Sequence, residues 1–185
     1  GLGVTKDYDQ ALSWFHKAAA QDDAAAKFNI GFMYEKGLGV AQDTAQSIDW
    51  YIKSADEGYA HAQSYLGDSY YFGYGVAQNY PQALKWYRKA ADQGEANAQN
   101  MLGTMHSYGH GLPQDDAEAL GWYRKAALQG LAIAQLNTGS MYENGRGVKQ
   151  DYVQASDWYT KAAEQGHAMA QYLLGLLLQN GYGLP

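Results

Sequence analysis

The chain is 185 residues long, enough for a sizeable core, and its 19 acidic and 13 basic residues give a formal net charge of −6. No sequence-wide basic surface is available to neutralise phosphates, which argues against nucleic acid as a partner. Cysteine is absent, so disulfides and thiolate chemistry are excluded, and no apolar run approaches the length of a membrane span.

One short motif, G-x-G-[V/L], begins at Gly1, Gly37, Gly73, Gly109 and Gly145, with a remnant at Gly181, at a constant step of 36 residues. All five tryptophans, Trp14, Trp50, Trp86, Trp122 and Trp158, share one register. A fixed period of this size is the signature of a solenoid, in which each unit buries its apolar face only against its neighbours. The chain opens in the middle of a repeat motif, as expected of a piece of a longer array.

In chain order, the first predicted element is a lone helix of a type called B here, over 7–21. Asp7 can cap it, and Gln10 can reach back to complete a capping box. The pair recurs as Asp43/Gln46, Asn79/Gln82, Asp115/Glu118 and Asp151/Gln154. Four hairpins follow, each a helix A and then a helix B, over 23–58, 59–94, 95–130 and 131–166, and a lone helix A closes the chain over 167–180. Helix B carries an apolar stripe, typified by Ala83, Leu84, Trp86, Tyr87, Ala90 and Ala91. Gly58, Gly94, Gly130 and Gly166 supply the left-handed residue that stops it, and Asp22 takes that place in the first copy. Connections this short make neighbouring helices antiparallel.

Helix A holds small residues in fixed slots, including a mid-helix glycine at Gly31, Gly67, Gly103, Gly139 and Gly175. Such a glycine costs about 1 kcal/mol relative to alanine, so its recurrence predicts close approach of a bulky ring, with the Trp and Tyr of helix B as candidates. The tryptophan register reads as core. Lys17, Lys53, Lys89, Lys125 and Lys161 read as structural, favouring the negative end of helix B and covering apolar surface with their stems.

These slots resemble the Sel1-like repeat family, an offshoot of the tetratricopeptide solenoids, whose pattern reads here from Ala60, Ala62, Gln63, Leu66, Gly67, Tyr70, Gly73, Gly75 and Val76 through Asn79, Ala83, Trp86, Tyr87, Lys89, Ala90, Ala91 and Gly94. The match covers essentially the whole chain. It departs from the pattern at Asp22, at His106 and Leu178 in place of Tyr, and at Thr138 in place of Leu. Without cysteines, the chain does not resemble the disulfide-stapled, secreted branch. The resemblance implies an all-α, right-handed solenoid of antiparallel hairpins that acts as a non-catalytic protein-interaction scaffold. Members of the family commonly serve in bacterial envelope, motility and host-contact assemblies, or as eukaryotic adaptors.

Comparing the copies with each other adds a candidate site. The slots that change along helix A are 25/61/97/133/169, 29/65/101/137/173, 32/68/104/140/176 and 36/72/108/144/180. Their offsets fall within a stripe about 60° wide. By analogy with tetratricopeptide solenoids this varying face is concave and takes a protein or peptide. The candidate binding residues are His61, Tyr65, Asp68, Phe72, Asn97, Met101, Thr104, Tyr108, Asn137 and Asn144, an aromatic stripe with scattered amides and one carboxylate.

Other signals carry less. His106 and His110 near Asp115 and Asp116 suggest a metal site, but Gly109 stands between the histidines at a helix end and no further ligand is fixed. The repeated G-x-G lacks the further residues of a phosphate loop. No cofactor and no catalytic constellation is expected. Helix 167–180 is more apolar than its siblings and has no helix B after it, which suggests end-to-end self-association with the first helix B of another copy. Two alternatives to a binding scaffold remain: a spacer that assembles by its ends, and a regulatory or targeting module of an enzyme in flanking sequence.

Overall fold

The protein is described by a computed structural model covering Gly3 and residues 5–182. The first and last copies of the glycine motif, at 1–4 and 181–184, lie partly outside the described residues. Ten α-helices and no strand occur among the described residues: α1 (Tyr8–Ala19), α2 (Ala24–Lys36), α3 (Thr44–Asp56), α4 (Ala60–Phe72), α5 (Tyr80–Asp92), α6 (Ala96–Tyr108), α7 (Asp116–Leu128), α8 (Ala132–Asn144), α9 (Tyr152–Glu164) and α10 (Ala168–Gln179). Odd-numbered helices are of type B and even-numbered ones of type A. They fall into two compact units, residues 1–93 and residues 94–185.

Every helix B starts on a side-chain cap. The backbone N–H groups of Gln10, Gln46, Gln82, Glu118 and Gln154 donate to Asp7, Asp43, Asn79, Asp115 and Asp151 at 2.8–3.1 Å. The reciprocal half of the expected capping box is replaced in the four later copies. There the capping residue's own N–H donates to a helix A carbonyl: Asp43 to Tyr34 (3.0 Å), Asn79 to Tyr70 (2.8 Å), Asp115 to His106 (2.9 Å) and Asp151 to Tyr142 (3.0 Å). One orphan donor of helix B thereby ties it to the preceding helix A. Because the acceptor is a backbone carbonyl, His106 serves as well as tyrosine.

The mid-helix glycines mark close approach, and tyrosine alone is the ring that approaches. A Cβ on Gly31, Gly67, Gly103 or Gly139 would lie 2.8, 2.4, 2.6 or 2.6 Å from the ring of Tyr51, Tyr87, Tyr123 or Tyr159. At Gly175 on α10 nothing among the described residues lies within 4 Å. Helix B thus meets its own hairpin partner through tyrosine, while its tryptophan packs against both that partner and the preceding helix B. Trp86 clusters with Ile48, Ala55, Ala62 and Leu66, and Trp158 with Ala126, Ala127 and Ala134. Trp86 and Trp158 are therefore covered from two sides. Trp86 and Trp158 are each 6% exposed, Trp50 and Trp122 are half-buried, and Trp14 on α1 is 61% exposed, which corrects the expectation of a uniform tryptophan core.

The recurrent lysines have a more specific role than dipole and stem. Lys17, Lys53, Lys89, Lys125 and Lys161 each place Nζ 3.8–4.4 Å from the ring centroid of the tryptophan three residues earlier. That is cation–π distance, and one helical turn is the spacing that allows it.

A polar staple joins the helix ends. Gln93 donates to Gln63 (2.8 Å), Gln129 to Gln99 (2.8 Å) and Gln165 to Gln135 (2.7 Å). Gln63 and Gln135 in turn donate to the carbonyls of Ala55 and Ala127 in the preceding helix B. In the first hairpin the same two slots hold Lys27 and Glu57, which form an ion pair that Asp22 joins at 3.0 Å. Asp22 is the one non-glycine residue at positive φ (61°) among those described. It holds the place of a stop glycine while supplying a carboxylate to Lys27, whose pKa is raised first by the hydrogen bond to Glu57, against a smaller opposing desolvation.

Candidate partner-binding face

The tyrosine that fills each glycine slot carries its hydroxyl across helix A toward the varying stripe, where it needs an acceptor. Tyr87 donates to Asp68 (2.6 Å) and Tyr123 to Thr104 (3.2 Å). In the other two hairpins the acceptor sits three residues later, with Tyr51 donating to Glu35 (2.8 Å) and Tyr159 to Glu143 (2.6 Å). The two slots trade off. Asp68 and Thr104 accept where Tyr71 and Ser107 follow, and Glu35 and Glu143 accept where Phe32 and Ser140 precede. Burial, then the bond to the carboxylate, raises the Tyr51 and Tyr159 hydroxyls above the usual phenol value.

In residues 1–93 this arrangement opens into a cleft of about 360 Å³. Glu35 comes from the end of α2, Thr44, Ser47 and Ile48 from the start of α3, and Tyr65, Asp68 and Phe72 from α4, with Tyr74 and Gly75 in the loop beyond. The cleft brings together three of the candidate residues, Tyr65, Asp68 and Phe72. The Tyr65 hydroxyl donates to the Glu35 Oε2 that also accepts from Tyr51, and Lys36 donates to Oε1. Desolvation pushes the Glu35 carboxyl upward, but hydrogen bonds from Lys36, Tyr65 and Tyr51 outweigh it and hold the group below the usual carboxylate range. Phe72, 49% exposed, stacks with Tyr74 at 5.4 Å and meets the edge of Tyr71 at 4.8 Å.

His61 lies outside that cleft lining, exposed in the first turn of α4, with its ring edge-on to Tyr59 at 5.6 Å. The remaining candidates belong to residues 94–185. Asn97 donates to Glu95 (3.0 Å), Met101 is half-buried, and Thr104 donates to the Asn100 carbonyl (3.2 Å) while accepting from Tyr123. Tyr108 is 64% exposed and stacks on His110 at 5.7 Å. Asn137 donates to the Asn100 side chain (2.9 Å), and Asn144 caps back onto Ser140 (2.8 Å to the carbonyl). Among the described residues no group of three or more His, Asp or Glu is placed to hold a metal ion.

The Sel1 repeat model matches six consecutive segments, residues 1–23, 24–59, 60–95, 96–131, 132–167 and 168–185. The chain belongs to the Sel1 repeat family. Among solved structures it is similar to a protective antigen present in uropathogenic Escherichia coli strains, with 42% identity and a TM-score of 0.90 over 97% of this chain. It spans 38% of that antigen's length. A Sel1 repeat protein from Oxalobacter formigenes is 40% identical with a TM-score of 0.90, the match covering 96% of this chain and 71% of that one. Helicobacter pylori cysteine-rich protein B shares the fold at 22% identity and a TM-score of 0.57, over 72% of this chain and 96% of that one. No protein of curated function matches the sequence. Sel1 repeats generally form α-helical solenoid scaffolds for protein interaction, typically without catalysis, and no helix among the described residues is long and apolar enough to cross a membrane.

Comparing slots missed Glu35, because its slot lies about 60° outside the varying stripe, beside the constant alanine slot of Ala24. The cleft therefore holds two carboxylates rather than one. The signal that could have found it is the trade-off itself: Phe32 offers the Tyr51 hydroxyl no acceptor, so the next residue in reach has to.

Proposed function

We propose that this Sel1 array is a non-catalytic scaffold that binds a protein or peptide on the varying face of its A helices, with the cleft of residues 1–93 as the principal anchor point. The observation that carries the reading is the convergence of Tyr65, Asp68, Phe72 and Glu35 on one open cleft. Exposed aromatic rings around a concavity are what interface hot spots are made of. His61, on the same helix, and Asn97, Met101, Thr104, Tyr108, Asn137 and Asn144, in the same register of residues 94–185, are proposed to supply further contacts. The test is affinity capture from the source organism with the intact chain and with its Phe72→Ala/Tyr74→Ala/Tyr108→Ala variant. These three side chains are exposed, so helicity should be unchanged. A partner bound by the first and lost by the second supports the reading, and equal retention contradicts it.

A second reading, end-to-end assembly, is favoured by two uncovered features. Trp14 is largely exposed on α1, and Gly175 on α10 has an empty ring slot. A molar mass by light scattering that rises with concentration, and stops rising in Trp14→Ser, would support it. A constant monomer mass would contradict it.

A further inference from the structure

We propose that the cleft between α2, α3 and α4 is an arginine-anchor site, taking the guanidinium of one arginine side chain on a partner peptide between Glu35, Asp68 and the ring faces of Phe72 and Tyr74. This rests on the scaffold reading above and names the chemistry of its partner.

Size, charge and shape agree on that occupant. At about 360 Å³ the cleft stands near the lower end of the range for ligand pockets, suited to one long side chain rather than a folded element. Its lining includes two carboxylates and no basic residue, on a chain of net charge −6, so a cation is the complementary charge. The two acids come from different helices and are held in place before any ligand arrives: Tyr51 and Tyr65 both donate to one oxygen of Glu35, and Tyr87 donates to Asp68. Two acceptors fixed on separate helices of one cleft suit a fork of several donors better than a compact ammonium. The stacked pair of Phe72 and Tyr74, with rings 25° apart, adds flat faces on which a guanidinium stacks.

Lys36 supplies an internal rehearsal of the contact. Its ammonium already sits on Oε1 of Glu35 while its side chain remains half exposed. An incoming arginine would replace it on that oxygen, and Lys36 would return to water at little cost, since exposed ion pairs contribute about 0–1 kcal/mol.

The experiment uses the intact chain and dodecapeptides selected against it from a display library, with affinities measured by fluorescence anisotropy. The expected binders share one arginine. Replacing that arginine with citrulline or lysine, or making Glu35→Gln or Asp68→Asn in the protein, should weaken binding about tenfold. Both protein substitutions keep an oxygen that can accept from the tyrosines, so the fold is preserved. Lys36→Met should strengthen binding, by up to about fivefold, a gain that general damage to the fold would not produce. Binders that need Phe72 but tolerate citrulline and both neutral substitutions would overturn the arginine assignment and leave the scaffold reading standing. A library yielding no binder sensitive to Phe72→Ala would overturn both.

Discussion

Residues 1–93 and 94–185 are built on the same frame and finished in different chemistry. Both units pack glycine against tyrosine, seat lysine on tryptophan and cap helix B with an acid or amide. Their variable slots diverge. The first unit carries Glu35, Tyr65, Asp68 and Phe72 around a cleft and staples its first hairpin with Lys27, Asp22 and Glu57. The second lays amides along the same register, pairs Asn137 with Asn100, and staples with glutamine throughout. The difference teaches that packing geometry fixes the frame while leaving the A-helix face free to vary. On the scaffold reading proposed above, partner choice is assigned to those varying slots.

The largest expected effect tests the shared frame. Gly67→Ala and Gly103→Ala should each destabilise by about 1–3 kcal/mol in denaturant unfolding, because the new methyl runs into a tyrosine ring that cannot step aside. Gly175→Ala, with open space around it, should instead gain about 1 kcal/mol of helix propensity. Equal effects at all three positions would break the claim that tyrosine approach explains the glycines.

Tyr87→Phe comes next. It leaves Asp68 without its donor at 2.6 Å and should cost about 1 kcal/mol or somewhat more, as hydrogen bonds to charged groups do. Tyr123→Phe removes a hydroxyl whose acceptor, Thr104 at 3.2 Å, is neutral and should cost less, so matching losses would erase the predicted contrast between units.

A smaller effect concerns the staple. Glu57→Gln alone should lower the denaturation midpoint, since Lys27 loses its nearer partner. Adding Lys27→Gln should restore it by recreating the glutamine pair of the later hairpins. A double variant as unstable as the single would show that the charged staple is not interchangeable with the neutral one.

The smallest effect is a pH dependence. The folded-state pKa of Glu35 is depressed, so its contribution is fully present above the ordinary carboxylate range and is lost as pH falls from there through the lower folded-state value. Glu35→Gln should shallow the acid limb of the stability profile relative to the parent chain and leave the neutral region nearly flat. An unchanged acid limb would remove Glu35 from the account.

What could be read from sequence follows the same division. Period, caps, stop residues and the glycine slot were legible because each depends on residues at fixed offsets in every copy. Asp22 shows how far this goes, since a single departure from glycine marked the one non-glycine left-handed residue among those described. Tryptophan burial was not legible, because the register is the same in every copy while the cover over each ring is not, as Trp14 at 61% exposure shows. Nor was the capping amide's partner, a backbone carbonyl nine residues earlier that leaves no mark on side-chain identity. Glu35 was missed because its role is conditional on what Phe32 fails to provide to Tyr51, a dependence running through three slots at once. Tyr65, Asp68 and Phe72 were found as varying residues, but that they share a cleft is a matter of how α2, α3 and α4 pack.

The most direct test of the central claim divides the face by unit. Within the intact chain, Phe72→Ala/Tyr74→Ala and Met101→Ala/Tyr108→Ala would be compared for affinity toward the same captured partner by titration calorimetry. The account predicts that the first pair abolishes measurable binding while the second weakens it severalfold at most. Equal losses, or a greater loss from the second pair, would contradict the placement of the principal anchor in the cleft of residues 1–93.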